Sequence, residues 1–369
     1  MAKSIVSIVK NNDASFAARK SVEMLGGLEG KIEKGARVLI KPNLVYGASY
    51  ETGTTTNPIV LRTLIELIRP ITENIAVIES NFGTVPIPES AMPIFREVGE
   101  VFKLPDYQAL EKLGVRLIDL GKEKQDWLSL TPNKILDRVK IPVSLYEEAT
   151  LVNIPVLKSH GITTVTLGIK NLYGLIPTPP VRNRLHDTIS SVLSDLAELF
   201  SSIFTVIDGS VGMEGPVSCL GAPVESDLMI ASDDIVAADS VATRVMGYDP
   251  ETVGHIVEAA KRGLGNLDDI DIIGETIENV KRKFNMDAQL PLEVVKKVKE
   301  LGEPREEDLL SLYPNDIDLV RRYLKAFRMW GPLVRHGETY RFDRGLLENF
   351  ICRRCVQTGN SFCEAWKKM

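Results

Sequence analysis

The chain has 369 residues, 25% of them charged and 44% hydrophobic, with a net charge of −6 and an isoelectric point near 5.5. That is enough chain for two domains, or for one large α/β domain with an appendage. It lacks the Lys/Arg-dense block of a duplex nucleic-acid binder and any run of the roughly 18 apolar residues that spans a membrane, so neither nucleic acid nor a membrane is an expected partner.

Residues 1–13, MAKSIVSIVKNND, have too short an apolar run for a signal peptide, which predicts a cytoplasmic protein. Within them SIVSIV reads as a strand, and an amphipathic helix follows over Ala14 to Leu25. ARVLI (36–40) is the next strand, followed by a helix from Pro58, then the strand NIAVIES. Further on, the apolar, β-branched runs ATLVNIPVL, FTVIDG and DLMIAS are separated by helical patterns such as HDTISSVLSDLAELF (186–200). Near-continuous apolar strands alternating with helices predict an α/β fold, a largely parallel sheet with helices on both faces. TTVTLGI alternates more cleanly and reads as an antiparallel or edge strand. Residues 1–274 form this core, as one body or two lobes. Residues 275–369 carry helical periodicity and more charge, which reads as a helical C-terminal extension ending in a cysteine cluster.

In open parallel sheets, ligands bind beyond the carboxyl ends of the strands. Here those ends are polar: Lys41-Pro42-Asn43, Glu79-Ser80-Asn81, Lys158-Ser159-His160, Asp208-Gly209 and Asp233-Asp234. Loops are polar in any protein, but the bias toward lysine, histidine and carboxylate favours a site. Asn57 is a good N-cap and Pro58 suits the first helical position, so TGTTTNP offers a helix N-terminus with Thr54, Thr55 and Thr56 before it, a cradle for carboxylate or phosphate. A capped helix after a threonine-rich turn accounts for the same residues. Lys41, Asn43, Thr55, Thr56, Glu79, Ser80, His186, Asp208 and Asp239 are therefore candidate substrate contacts, and Lys158, His160, Lys170, Asn171 and Glu214 candidate catalytic groups. Asp239, four residues after Ile235 and three before Ala242, would face an apolar stripe; it then needs a partner, for which a strand-end lysine would serve, or its pKa rises. His160 and His186 are candidate bases or metal ligands; His255 and His336 rank below them.

Cys352, Cys355 and Cys363 lie within CRRCVQTGNSFC. A CxxC pair suits thiolate binding of zinc or of an iron–sulfur cluster, and the fourth ligand would be Cys219, a histidine, a substrate atom or nothing. Three cysteines around a four-iron (4Fe-4S) cluster would leave one iron open to substrate.

VLIKPNLV, GTTTNP, VIES, the block from LVNIPVLKSH through VTLGIKNLYGLIP, VIDGSVGMEGP, DDIVAADSVATRVMG and GLGNLDDIDIIG follow one another as in the domain of unknown function 362 family, which the chain resembles over residues 1 to 274. The Lys-x-His and Lys-Asn-x-x-Gly pattern carries most of the likeness. Members often have ferredoxin-like cysteine runs, so the resemblance implies an iron–sulfur link, although this chain has CxxC and a lone cysteine in place of four ferredoxin-spaced ones. The order strand, lysine, loop, Thr-x-Pro and helix at 37–60 is also similar, at the level of fold, to the N-terminal domain of nickel-dependent lactate racemase.

Three expectations follow. The first is an enzyme that binds a small anion at the strand ends and carries an iron–sulfur cluster in a redox or Lewis-acid role, with an electron-transfer partner. The second is a non-catalytic ligand- or metal-binding module with structural zinc. The third is a racemase or lyase using nickel or an organic cofactor. A homodimer is compatible with each.

Overall fold

The computed structural model describes residues 3–45, 50–81, 97–127, 135–145, 147–200, 202–215 and 221–286. Its strands are β1 (Ser4–Lys10), β2 (Val38–Pro42), β3 (Ile75–Glu79), β4 (Arg116–Asp119), β5 (Gln125–Trp127), β6 (Lys140–Pro142), β7 (Thr150–Ile154), β8 (Val156–His160), β9 (Thr164–Thr166), β10 (Ser202–Glu214), β11 (Ala222–Ser232) and β12 (Ile270–Gly274). The helices are α1 (Ala14–Met24), α2 (Pro58–Ile68), α3 (Val98–Val101), α4 (Pro105–Glu111), α5 (Gly168–Asn171), α6 (Pro179–Arg184), α7 (Ile189–Ala197), α8 (Ile235–Val245), α9 (Gly254–Lys261) and α10 (Ile277–Val280).

The main helices start where side chains can satisfy their free N–H groups. Asp13 accepts from Ser15 and Phe16 at α1, Asn57 accepts from Ile59 at α2 with Pro58 in the first position, and Asp234 accepts from Val236 and Ala237 at α8. Along the strands, successive side chains alternate between two cores. Val38, Ile40, Val152, Phe204 and Met229 pack with α1, α2 and α4; Leu39, Leu151, Ile207 and Ile230 pack with α5, α7, α8 and α9. Helices therefore cover both faces.

The main sheet runs β12-β1-β11-β10-β7-β2-β3-β4, with β8 beside β10 and β9 beside β8. It is mostly parallel. The exceptions are β11, antiparallel to both β1 and β10, and β9, antiparallel to β8 as its alternation suggested. The run LVNIPVL divides at Pro155, which has no N–H to give a ladder: β7 pairs with β2 and β10, and β8 continues along β10 and leaves β2. The glycine-rich stretch after Asp208 stays in strand as far as Glu214, with a register shift between Gly209 and Val211.

The reversal of β11 corrects one expectation. Ser232 pairs with Thr205, near the start of β10, so Asp233 and Asp234 lie at the rim opposite the other strand ends. Asp234 there accepts from Ser4 at the start of β1. The core also continues beyond Gly274: Val280 and Phe284 are buried in it, and Phe284 N–H donates to Met246 O.

Candidate functional site

At the ends of β2 and β3, neighbours in the sheet, Lys41 Nζ lies 2.7 Å from Glu79 Oε2 and donates to Pro42 O at 3.0 Å. Both side chains are buried, 1% and 3% exposed. The carboxylate is fixed by backbone donors as well, Leu44 N–H at 3.2 Å on Oε2 and Ser80 N–H at 2.8 Å on Oε1. Gly174 closes over the pair; a Cβ there would stand 2.7 Å from Glu79 Oε1 and 2.8 Å from Lys41 Nζ, so no side chain fits. Ser80 Oγ donates to Gly174 O. Arg182, from α6, is also buried, and it donates to Asn81 O and carries Tyr173's hydroxyl on its own carbonyl. Burial holds the Lys41 ammonium below its usual pKa against the pull of Glu79, and the Arg182 charge lowers it further.

Two residues on from Lys41, Asn43 begins a second group. Its Oδ1 accepts from Lys158 Nζ, which also donates to Thr54 O at 2.9 Å. The threonine hydroxyls expected to meet an anion are occupied: Thr56 accepts from Asn43 N–H and donates to Ile154 O, and Thr55 accepts from Val45 N–H. The cradle at the start of α2 is filled by the protein's own Asp208, whose Oδ2 accepts from Asn57 N–H at 2.7 Å while Oδ1 accepts from Ser210. Burial raises the Asp208 pKa, with the Asn57 and Ser210 bonds opposing it. Asp208, Thr55 and Thr56 thereby tie the α2 entry to β7, to β10 and to the segment that follows β2.

Asp239 is fully buried, as its spacing implied, but its partner is not a lysine. Its oxygens accept from Gly168 N–H at 2.6 Å and Ile169 N–H at 2.8 Å, capping α5. Burial lifts its pKa to about 7 despite those bonds. Gly168 is required by this approach, since a Cβ would meet Asp239 Oδ1 at 2.7 Å. One turn on, the Asn171 amide donates to Asn153 Oδ1 at 2.8 Å and to Lys41 O at 3.2 Å, and Asn153 returns a bond to Gly168 O. α5 is thereby seated on the ends of β2 and β7. The next residues, the turn Leu172–Leu175, carry Gly174 to the Lys41–Glu79 pair.

Lys170 and His186 stand elsewhere. Lys170 Nζ lies 4.5 Å from the centroid of the Tyr173 ring, whose edge meets His186 at 5.6 Å between centroids. His255 is close by. It is buried, its Nε2 has no hydrogen-bond partner among the described residues, and burial followed by the Lys170 charge depresses its pKa to about 3. His160 Nδ1 accepts from Ile162 and Thr163 N–H, which leaves the ring proton on Nε2. Glu214 accepts from Asn285 N–H.

The residues expected to meet in one pocket thus form a Lys41–Glu79–Ser80–Asn171 group, a Lys158–Asn43–Thr56–Asp208 group joined to it through Lys41–Asn43, and a separate Lys170–His186 group around Tyr173. Asn153 and Arg182 belong to this arrangement and are not among the residues singled out from sequence. Asn153 had a signal, an amide inside the apolar run LVNIPV; Arg182 in PTPPVRNRL had none. Cys352, Cys355, Cys363 and Cys219 lie outside the described residues, as does His336. Among the described residues no group of three or more histidine, cysteine or carboxylate side chains suited to a metal ion is present, and no helix is long and apolar enough to cross a membrane.

Residues 38–244 match the family model described as domain of unknown function (DUF362). A thylakoid-associated protein of Synechocystis sp. is 26% identical over 253 residues, which is 67% of this chain and 74% of that protein. No solved structure matches the chain.

Proposed function

The chain belongs to the domain of unknown function 362 family, and on that footing we propose that it is an enzyme whose substrate is a small carboxylate or phosphate, held at the rim where β2 and β3 end. What supports this reading is the meeting of two buried cations, Lys41 and Arg182, at the end of β2, where the Arg182 charge is felt by the Lys41 ammonium. Desolvated cations brought close together favour anionic groups beside them. Asn171 and Gly174 complete the wall, and Lys158 and Asn43 brace the segment that carries Lys41.

Anion binding is tested by calorimetry of the full chain with inorganic phosphate and with acetate. K41M and R182M should each weaken binding at least tenfold. Absence of binding by either anion, or wild-type affinity in both variants, overturns the reading.

The second half of the proposal is an iron–sulfur cluster on Cys352, Cys355 and Cys363. It rests on the CxxC spacing and the nearby third thiol. When bound, such a cluster supplies electron transfer or a Lewis-acidic iron. Protein purified without air should be brown and contain iron and sulfide, and C352A/C355A should be colourless. Colourless wild-type protein with stoichiometric zinc refutes the cluster.

A further inference from the structure

We propose that Lys41 is an amine nucleophile that condenses with the carbonyl carbon of an anionic aldehyde or 2-oxo acid, with Glu79 as its proton acceptor and donor. This rests on the reading of the same rim as an anion site and specifies the class of anion.

The two buried strand-end lysines differ in what holds them. Lys158 Nζ donates to Asn43 Oδ1 and Thr54 O, which anchor the α2 entry. Lys41 Nζ has two acceptors, Glu79 Oε2 and Pro42 O, whereas an ammonium carries three protons. Among the described residues its third position is unused. One acceptor is a carboxylate 2.7 Å away, able to take the proton that must leave before the nitrogen can attack. Leu44 and Ser80 N–H groups hold that carboxylate in place, so it stays aimed at Nζ as charge moves. Desolvation and a neighbouring guanidinium both lower the Lys41 pKa, against the pull of Glu79, which makes its proton easier to give up. Gly174, with no side chain, leaves open the space beside Nζ that a Cβ would fill. Arg182 supplies the charge that would face the substrate's carboxylate.

The step balances within the pair. The Lys41 proton passes to Glu79, and the nitrogen lone pair forms a C–N bond to the carbonyl carbon as the C=O π pair moves to oxygen. A proton moves from nitrogen to that oxygen, giving the carbinolamine. Glu79 returns its proton to the hydroxyl, the C–O bond breaks and water leaves. The protonated imine that remains faces the Glu79 carboxylate, so the ion pair is the same before and after.

Reductive trapping tests this. Full-length protein is incubated with glyoxylate, with pyruvate or with neutral propanal, reduced with borohydride and mapped by peptide mass spectrometry. The expected result is one adduct, on Lys41, with glyoxylate or pyruvate, suppressed at least tenfold by excess phosphate. K41R, which keeps the charge, should lose the adduct, and E79Q, which keeps the amine, should slow its formation at least tenfold. No adduct on Lys41 with any of the three carbonyls, or labelling spread evenly over surface lysines, overturns the inference. Phosphate binding without trapping removes the nucleophile and leaves the anion site. Trapping of propanal as readily as glyoxylate keeps the nucleophile and removes the anionic substrate.

Discussion

Asp239 and His255 make opposite demands on the pH dependence of stability, and separating them tests the burial assigned to both. The Asp239 carboxyl rises from 3.8 in the unfolded chain to about 7 in the fold because burial disfavours its charge. The fold therefore binds that proton more tightly, and the stability it contributes is complete below about pH 4 and lost as pH rises to 7. The His255 ring falls from 6.5 to about 3, because burial first and Lys170 second disfavour its cation. Its contribution is complete above pH 6.5 and is lost as pH falls toward 3. Between pH 4 and 6.5 the two slopes cancel, each being about 1.4 kcal/mol per pH unit. D239N removes one of them. Relative to the wild type it should gain about 3 kcal/mol from pH 4 to pH 6.5. H255Q should lose about as much over the same range, and D239N/H255Q should return to the wild-type slope. Urea unfolding of the full chain at half-unit steps measures this. Asp208, whose pKa is raised in the same sense as that of Asp239, is present in every variant and drops out of the differences. Two flat difference curves, or two of the same sign, refute the buried, uncompensated state of these groups.

The Lys41–Glu79 pair should behave as a buried ion pair: K41M or E79Q alone costs about 3–5 kcal/mol by stranding the other charge, while K41M/E79L recovers most of it in urea unfolding. G174A should cost about 1–3 kcal/mol by overpacking against that pair, and its phosphate affinity should fall by more than tenfold in calorimetry. G53A should be the most damaging glycine substitution at the rim, since Gly53 has φ +70° and its Cβ would stand 2.0 Å from Gly212 O; we expect a loss of about 2–5 kcal/mol, read by thermal unfolding.

Most of the fold was legible because its signals are local. The α2 start follows from Asn57 and Pro58, and the two-sided sheet from unbroken runs such as ARVLI and LVNIPVL. The direction of β11 was not legible, because DLMIAS reads alike in either orientation and pairing is decided by what lies beside it. That reversal moved Asp233 and Asp234 off the rim. The site was legible in its residue types and less so in their partners. Asp208 and Asn57 are 151 positions apart, so no spacing rule could show that a carboxylate already occupies the helix N-terminus. Asp239 is the instructive case: an acid on an apolar stripe implied a hidden partner, yet backbone N–H groups do the pairing, and those have no sequence signature.

What marks Lys41 for chemistry at this rim is the carboxylate that it meets. Read in sequence, Lys41 and Lys158 are equivalent, each ending an apolar strand and followed by polar residues. In the fold both are buried to the same 1% exposure. Lys158 donates to Asn43 Oδ1 and Thr54 O and so locks Asn43 to Thr54. Lys41 meets a carboxylate that can take the proton, in a setting where burial and Arg182 both weaken the ammonium. Its proton can therefore move by one hydrogen-bond length without any change in net charge. K158M should accordingly destabilise the fold while leaving carbonyl trapping at Lys41 in whatever protein remains folded, whereas E79Q should lose trapping beyond what its own loss of stability explains. The two variants reversing those roles would show that burial alone, not the partner's basicity, sets which amine reacts.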